Sequence, residues 1–195
     1  MMPDINEGGK SMDELVFLGV CGSLRRASRN RGLLRKAREL MPAGSRLDIA
    51  DISALPFFNE DIPKPESVRR LVGLAENADG FLFASPEYNY SLAPALKNAL
   101  DWLSREPGLK PFSGKPAAIV GAGGGMGTAR SQNHLRQVCV YLDLHLLNTP
   151  EFFSNAFSPA FDTAGDLVDA ELEKRLAALL QGLVDWAQVL KKGRA

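Results

Sequence analysis

Segments rich in apolar residues alternate along this chain with segments whose apolar positions recur at helical spacing. Five short apolar runs predict strands, most of them buried on both faces, and they read LVFLGV, RLDIADI, GFLFAS, KPAAIVGA and LHLLN. Each is followed by an amphipathic segment that predicts a helix; these read NRGLLRKARELM, ESVRRLVGLAENA, SLAPALKNALDWLSR, TARSQNHLRQVCVYLD and DAELEKRLAALLQGLVDWAQVLKK. The pattern therefore predicts five strand–helix units.

Repeated strand–helix units imply parallel strands with helices on both faces of the sheet. Five units suit a flavodoxin-like fold, a three-layer α/β architecture whose five-stranded parallel sheet has the order 2-1-3-4-5. Ligands of such sheets bind beyond the carboxyl ends of the strands, where the strand order reverses. We therefore expect the segments after strands one, three and four to converge, which are residues 22–30, 85–91 and 121–128.

Length and composition favour one domain. The chain has 195 residues, of which 45% are apolar, enough for a substantial core. We expect the domain to cover residues 14–192 and residues 1–13 to form a flexible tail. Lys plus Arg and Asp plus Glu each number 23, so the net charge gives no reason to expect binding to nucleic acid or to an anionic membrane.

The cysteines and histidines of the chain also argue against a dithiol site, a secreted protein and a metal site. The two cysteines, Cys21 and Cys139, form no C-x-x-C pair and fit a reducing compartment better than a secreted one. His134 and His145 lack the spacing of metal ligands, so we expect no metal site. No apolar run is long enough for a membrane span. A soluble cytoplasmic protein is expected.

The first loop, GVCGSLRRASRN, gathers hydrogen-bond donors where a strand gives way to a helix. Glycine-rich backbone and a helix N-terminus form an anion site, and the loop adds donors from Ser23, Arg25, Ser28 and Asn30. A helix cap by Ser28 or Asn30 would explain one such residue without a ligand, but not the cluster. The loop therefore predicts a monophosphate site.

Two other anion-binding loops fit less well. A P-loop needs a Gly-Lys-Ser/Thr sequence after the strand, and none is present. A cysteine phosphatase needs five residues between its nucleophile and its arginine, whereas four separate Cys21 from Arg26. We interpret Cys21 as a small core residue.

The second and third loops favour a flat ring. Two tyrosines and an amide lie together in SPEYNY, where a planar ligand would gain stacking, although one or both tyrosines could instead fold onto the core. GAGGGMGTAR is rich in glycine but lacks G-x-G-x-x-G in register. Its backbone is free to approach the edge of a ring, and Gly123 and Gly124 are the expected contacts.

Together, GSLRRASRN, SPEYNYSLAPALKNALDWLSR and GKPAAIVGAGGGMGTARSQNHLRQV resemble the NADPH-dependent FMN reductase family. The resemblance is to its NAD(P)H:quinone reductases of plants and bacteria, which include chromate reductases. It implies that the FMN phosphate is held by Ser23, Arg25, Ser28 and Asn30, and that the isoalloxazine ring is lined by Pro86, Glu87, Tyr88, Asn89 and Tyr90. It also implies a homodimer or a homotetramer, although many relatives have a tyrosine where this chain has Asn133.

The resulting hypothesis is a two-electron, ping-pong oxidoreductase. NADPH or NADH would reduce FMN, and a quinone or a similar acceptor, such as an azo compound, chromate or free flavin, would then reoxidise it. No side chain is assigned as an acid or base. The alternatives are a flavodoxin-like FMN electron carrier, whose usual strong acidity this chain lacks, and a hydrolase using Cys21.

Overall fold

The chain is described by a computed structural model over residues 14–108 and 110–193, and the predicted tail lies outside these residues. The strands are β1 (Leu15–Cys21), β2 (Ser45–Ile49), β3 (Gly80–Ala84), β4 (Glu87–Tyr88), β5 (Ser91–Leu92), β6 (Pro116–Gly123), β7 (His145–Leu146) and β8 (Phe152–Asn155). The helices are α1 (Arg29–Leu40), α2 (Glu66–Asn77), α3 (Pro94–Ser104), α4 (Ala129–Tyr141) and α5 (Ala170–Lys192).

The main sheet confirms the predicted architecture. Its strands run in the order β2-β1-β3-β6-β7, and every pairing in it is parallel. Every residue of β1 and β3 is buried, as expected for strands covered by helices on both faces. The strand order reverses between β1 and β3, so the ligand edge lies beyond the ends of these strands and of β6.

The fifth position of the sheet differs from the prediction, which placed one strand at LHLLN and a loop after it. Two short strands share that position: β7 pairs with the start of β6 and β8 with its end. From Leu146 to Phe152 the chain advances six residues, whereas their partners in β6, Ala117 and Val120, are only three residues apart. The segment between β7 and β8 therefore loops out of the sheet. It contains Pro150, which has no N–H to give to the ladder.

Two apolar clusters lie on opposite faces of the sheet. One packs buried residues of α2, α3 and α4 against it, such as Leu71, Leu100 and Leu135. The other packs α1 and α5 in the same way, with Leu33 and Leu180 fully buried. The three layers follow from the helical spacing of these positions. Across the described ranges 14–108 and 110–193, no helix combines the length and hydropathy that crossing a bilayer requires.

Candidate functional site

The three predicted loops meet at one edge of the sheet, and hydrogen bonds join each to the next. The Gly22 N–H donates to Ala84 O at 2.8 Å, at the end of β3. The Ser85 N–H donates to Val120 O at 3.1 Å in β6. The loops after β1, β3 and β6 are thereby held side by side, as the strand order requires.

The first loop presents buried hydroxyl groups close to a helix N-terminus. Ser23 and Ser28 are both buried, whereas Arg25 is exposed. Ser28 is the N-cap of α1, and its Oγ accepts from the Arg31 N–H at 3.3 Å. The Ser28 side chain also lies within hydrogen-bonding reach of the Cys21 thiol. No acidic residue lies in the first turn of α1, which leaves the positive end of the helix dipole available to an anion.

Asn30 joins the first loop to the third. Its Nδ2 donates to Ala122 O at 2.8 Å, and its Oδ1 accepts from the Ala122 N–H at 2.9 Å. The side chain is buried, and one amide hydrogen is left for a ligand. Asn30 thus positions the end of β6 beside the helix that begins at the first loop.

Gly165 and Asp166 support the first loop and the start of α1 from behind, a role that the sequence did not indicate. A Cβ on Gly32 would lie 1.9 Å from Gly165 O, and Gly165 itself adopts φ +86° against the backbone of Ala27. The Arg35 guanidinium pairs with Asp166, with Nε 2.6 Å from Oδ1. Because backbone meets backbone here, side chains at either glycine would displace the start of α1.

The second loop is a tight hairpin. β4 and β5 pair antiparallel, and Asn89 and Tyr90 between them have φ +49° and +65°. Two successive positive φ values are typical of a type I′ turn, which Asn favours at its first position and which a tyrosine rarely occupies at its second. Tyr88 and Tyr90 are 44% and 65% exposed, so neither ring folds fully onto the core. Pro86, beneath the hairpin, is buried.

Glu87 connects the hairpin to α4. Its Oε2 accepts from the N–H groups of Arg130 and Ser131 at 3.0 and 3.2 Å, and its Oε1 accepts from Arg130 Nε at 2.6 Å. Burial raises the pKa of Glu87, but the Arg130 and Ser131 hydrogen bonds outweigh it, so the net pKa is lowered. The carboxylate is therefore ionised and fully engaged within the protein.

Arg130 completes this arrangement. Its guanidinium lies 3.7 Å from the centroid of the Tyr90 ring, a cation–π contact that holds the turn residue in place. One feature of the sequence could have indicated the ion pair of Arg130 with Glu87. A cation in the first turn of a helix opposes the helix dipole, which points to a nearby carboxylate.

The glycines of the third loop differ in how closely other atoms pack around them. A Cβ on Gly121 would lie 1.9 Å from Thr128 Oγ1, so this position is required by packing. Around Gly124, apart from its chain neighbours, no atom of the residues that the structure describes lies within 4 Å of an added Cβ, and the residue is exposed. Gly123, half-buried between them, is packed against Gly127 O. Of the two predicted ring contacts, Gly124 therefore has the more accessible backbone.

A cleft of about 580 Å³ opens beside the first two loops. Residues of the irregular segment after β2 form one wall, although no motif in that segment indicates a function. Its apolar residues have no period, so only the fold brings them to the site. The walls include Leu24, Ile52, Leu55, Phe57, Tyr88 and Pro94.

The burial of Cys21 argues against a hydrolase. Burial raises the pKa of its thiol, although hydrogen bonds with the Ser23 backbone and the Ser28 side chain, and then nearby arginines, act in the opposite direction. A nucleophilic cysteine needs a lowered pKa, so Cys21 is a buried thiol beneath the loop.

Comparisons with known proteins agree with these features. A family model for NADPH-dependent FMN reductase matches residues 16–159. An NAD(P)H:quinone oxidoreductase of Solanum tuberosum is 50% identical over 89% of this chain and 93% of its own. An NAD(P)H-dependent FMN reductase of Pseudomonas aeruginosa is 47% identical over 92% of this chain and 98% of its own.

A solved structure shows the same fold. FerB, a flavoenzyme NAD(P)H:(acceptor) oxidoreductase from Paracoccus denitrificans, matches with a TM-score of 0.81 and 31% identity, over 89% of this chain and 97% of its own. Fold, sequence and the three-loop edge therefore agree on one assignment: this chain belongs to the NADPH-dependent FMN reductase family.

Proposed function

We propose that this protein is an FMN-dependent NAD(P)H:quinone oxidoreductase. The observation that carries the proposal is the convergence of three loops at one sheet edge. One presents buried hydroxyls at a helix N-terminus, one an exposed pair of tyrosines, and one an open glycine backbone. This set suits a ligand with an anionic end and a planar end. Relatives whose names describe quinone and FMN reduction support the same activity.

The residues present fit FMN. For the phosphate, we assign Ser23, Ser28 and Arg25 as direct donors because their hydroxyl and guanidinium groups lie in the first loop, at or just before the N-terminus of α1. Asn30 has one amide hydrogen left, and its main role in the proposal is to fix the loop through Ala122.

For the ring, we assign the exposed hairpin and the third loop, with Tyr88, Asn89 and Gly124 as the most accessible members. Pro86, Tyr90 and Gly123 shape these surfaces. Glu87 acts indirectly, because both its oxygens already accept hydrogen bonds from the start of α4. The glycines keep the third loop flat enough to approach a ring edge.

When bound, FMN supplies the redox chemistry, accepting a hydride from NAD(P)H and passing two electrons to the acceptor. The side chains of this chain bind and orient, and we assign none of them as a proton donor or acceptor. Arg130 holds the hairpin by its contacts to Glu87 and Tyr90. Binding and orientation of this kind lower the barrier without a reacting side chain.

The proposal is tested with the purified protein. We expect it to bind FMN, with a flavin absorbance that bleaches on addition of NADPH and returns on addition of a quinone. Steady-state rates against both substrates should give parallel double-reciprocal lines, which indicate a ping-pong scheme. A protein that takes up no FMN would overturn the proposal. One that binds FMN but sustains no NAD(P)H-dependent turnover would instead be an electron carrier.

We further propose a cytoplasmic homodimer or homotetramer whose partners are small-molecule acceptors. Two free, buried cysteines support a reducing compartment. Exposed apolar side chains such as Val140 and Phe157, at 79% and 81%, support contacts between copies. Sedimentation equilibrium of the purified protein distinguishes the two assemblies, and a strict monomer would contradict both.

A further inference from the structure

The cleft beside the first two loops extends beyond the phosphate and ring assignments above, which use only Arg25 and Tyr88 of its lining. Its volume of about 580 Å³ lies within the range of small-molecule sites. It shares Gly22 and Arg25 with the first loop and Tyr88 with the hairpin. It therefore continues from the proposed flavin site towards the segment after β2.

Hydrogen bonds to α3 fix the wall that this segment provides. Asn98 Oδ1 accepts from the Phe58 N–H at 2.7 Å, and Asn98 Nδ2 donates to Pro56 O at 2.9 Å. Trp102 Nε1 donates to the same carbonyl at 2.9 Å, and the Trp102 ring meets that of Phe58 edge-on at 5.1 Å. The wall is thus preformed, which lowers the cost of binding.

The chemistry of the walls selects an apolar occupant. Leu24 and Phe57 are 54% and 84% exposed, so much apolar surface remains to be covered. The amide of Asn98 already uses its oxygen and one hydrogen within the protein. Because the proposed phosphate engages Arg25, a polar ligand would lose water here and gain few hydrogen bonds in return.

We propose that this cleft binds the hydrocarbon substituent of quinone acceptors, so that the protein favours lipophilic quinones over small polar ones. The inference rests on the proposed function, since it places the head of the acceptor at the flavin site. Continuity through Tyr88 and Gly22 supports a substrate group rather than a separate ligand.

Equilibrium binding tests the proposal without turnover. The FMN-loaded, oxidised protein is titrated calorimetrically with unsubstituted 1,4-benzoquinone and with a decyl-substituted benzoquinone, in the absence of NAD(P)H. Because each methylene removed from water strengthens binding about fourfold, the decyl compound should bind at least about tenfold more tightly.

Two substitutions reshape the cleft in opposite ways. Phe57→Ala removes apolar wall, and Ala95→Met fills space on α3. Each should weaken binding of the decyl quinone about fivefold while changing that of benzoquinone less than about twofold. Tyr141→Ala is the matched control, because this aromatic residue is 73% exposed at the far end of α4; it should change neither affinity. Retained flavin absorbance shows that each variant keeps its cofactor.

Three results would overturn the inference. They are equal affinities for the two quinones, an equal loss for both quinones in the cleft variants, and conversion of an oligomer to a monomer by Phe57→Ala. The last would assign the cleft to an interface between copies. Loss of NAD(P)H-dependent turnover with every acceptor would count against the proposed function instead, and the titrations would still decide the role of the cleft.

Discussion

At the scale of single residues, Arg25 and Arg38 allow a matched test of phosphate binding. Both are exposed, but Arg25 lies in the first loop beside Ser23, while Arg38 lies in the last turn of α1. A hydrogen bond to a charged group contributes about 1.5–3 kcal/mol. Because Arg25 is exposed, its contribution to FMN binding should lie at the low end of this range. Arg25→Ala should therefore weaken FMN binding about tenfold, measured by quenching of flavin fluorescence. Arg38→Ala should not, and equal losses would contradict the assignment.

Glu87 predicts a pH dependence of stability. Hydrogen bonds from Arg130 and Ser131 overcome the effect of burial and hold its pKa below the ordinary value of 4.5. The stabilisation is therefore complete above about pH 4.5 and is lost as the pH falls towards the lowered value. Urea unfolding measured between about pH 6 and pH 3 should show the difference in the free energy of unfolding between the wild type and Glu87→Gln shrinking as the pH falls. Parallel curves for the two proteins would refute this role.

At the scale of elements, two helical glycines should respond oppositely to the same substitution. Gly32 in α1 faces Gly165 O, whereas Gly73 in α2 has no atom within 4 Å of an added Cβ. Gly73→Ala should stabilise the protein by about 0.5–1 kcal/mol, because alanine is the better helix former. Gly32→Ala should destabilise it and weaken FMN retention, because the backbone of the loop must move. Thermal unfolding and flavin titration measure both effects, and stabilisation by Gly32→Ala would disprove the contact.

The elements that the sequence did not predict share physical causes. The β4–β5 hairpin has two residues in each strand, too few for an alternating pattern to be recognised. β8 follows Pro150 in a stretch that contains polar residues, and its pairing with β6 depends on a loop whose length no local rule sets. The other strands were predicted from apolar runs and the five helices from helical periodicity, and the structure confirms these elements.

At the scale of the whole molecule, the two thiols report on different layers. Cys21 belongs to the cluster under α1 and α5, and Cys139 to the cluster under α2, α3 and α4. Burial raises the pKa of both, that of Cys139 to about 12, so neither should react with a maleimide in the native state. If the layers unfold together, both should become labelled at the same urea concentration, as measured by mass spectrometry. Labelling of one thiol well before the other would show that the layers unfold separately.

The position of the site was predictable because it follows from strand order, and strand order follows from the alternation of strands and helices. Its internal contacts were not. The ion pair of Glu87 with Arg130 and the approach of Gly32 to Gly165 join residues far apart in sequence. Such pairs are fixed by the packing of whole layers, which a local pattern does not encode.

The contact between Gly32 and Gly165 also bears on biosynthesis. Since the start of α1 packs against Gly165, a nascent polypeptide lacks this support until residue 165 has left the ribosome. Capture of the nucleotide should therefore follow synthesis of this segment, and translation products truncated before residue 165 should remain colourless.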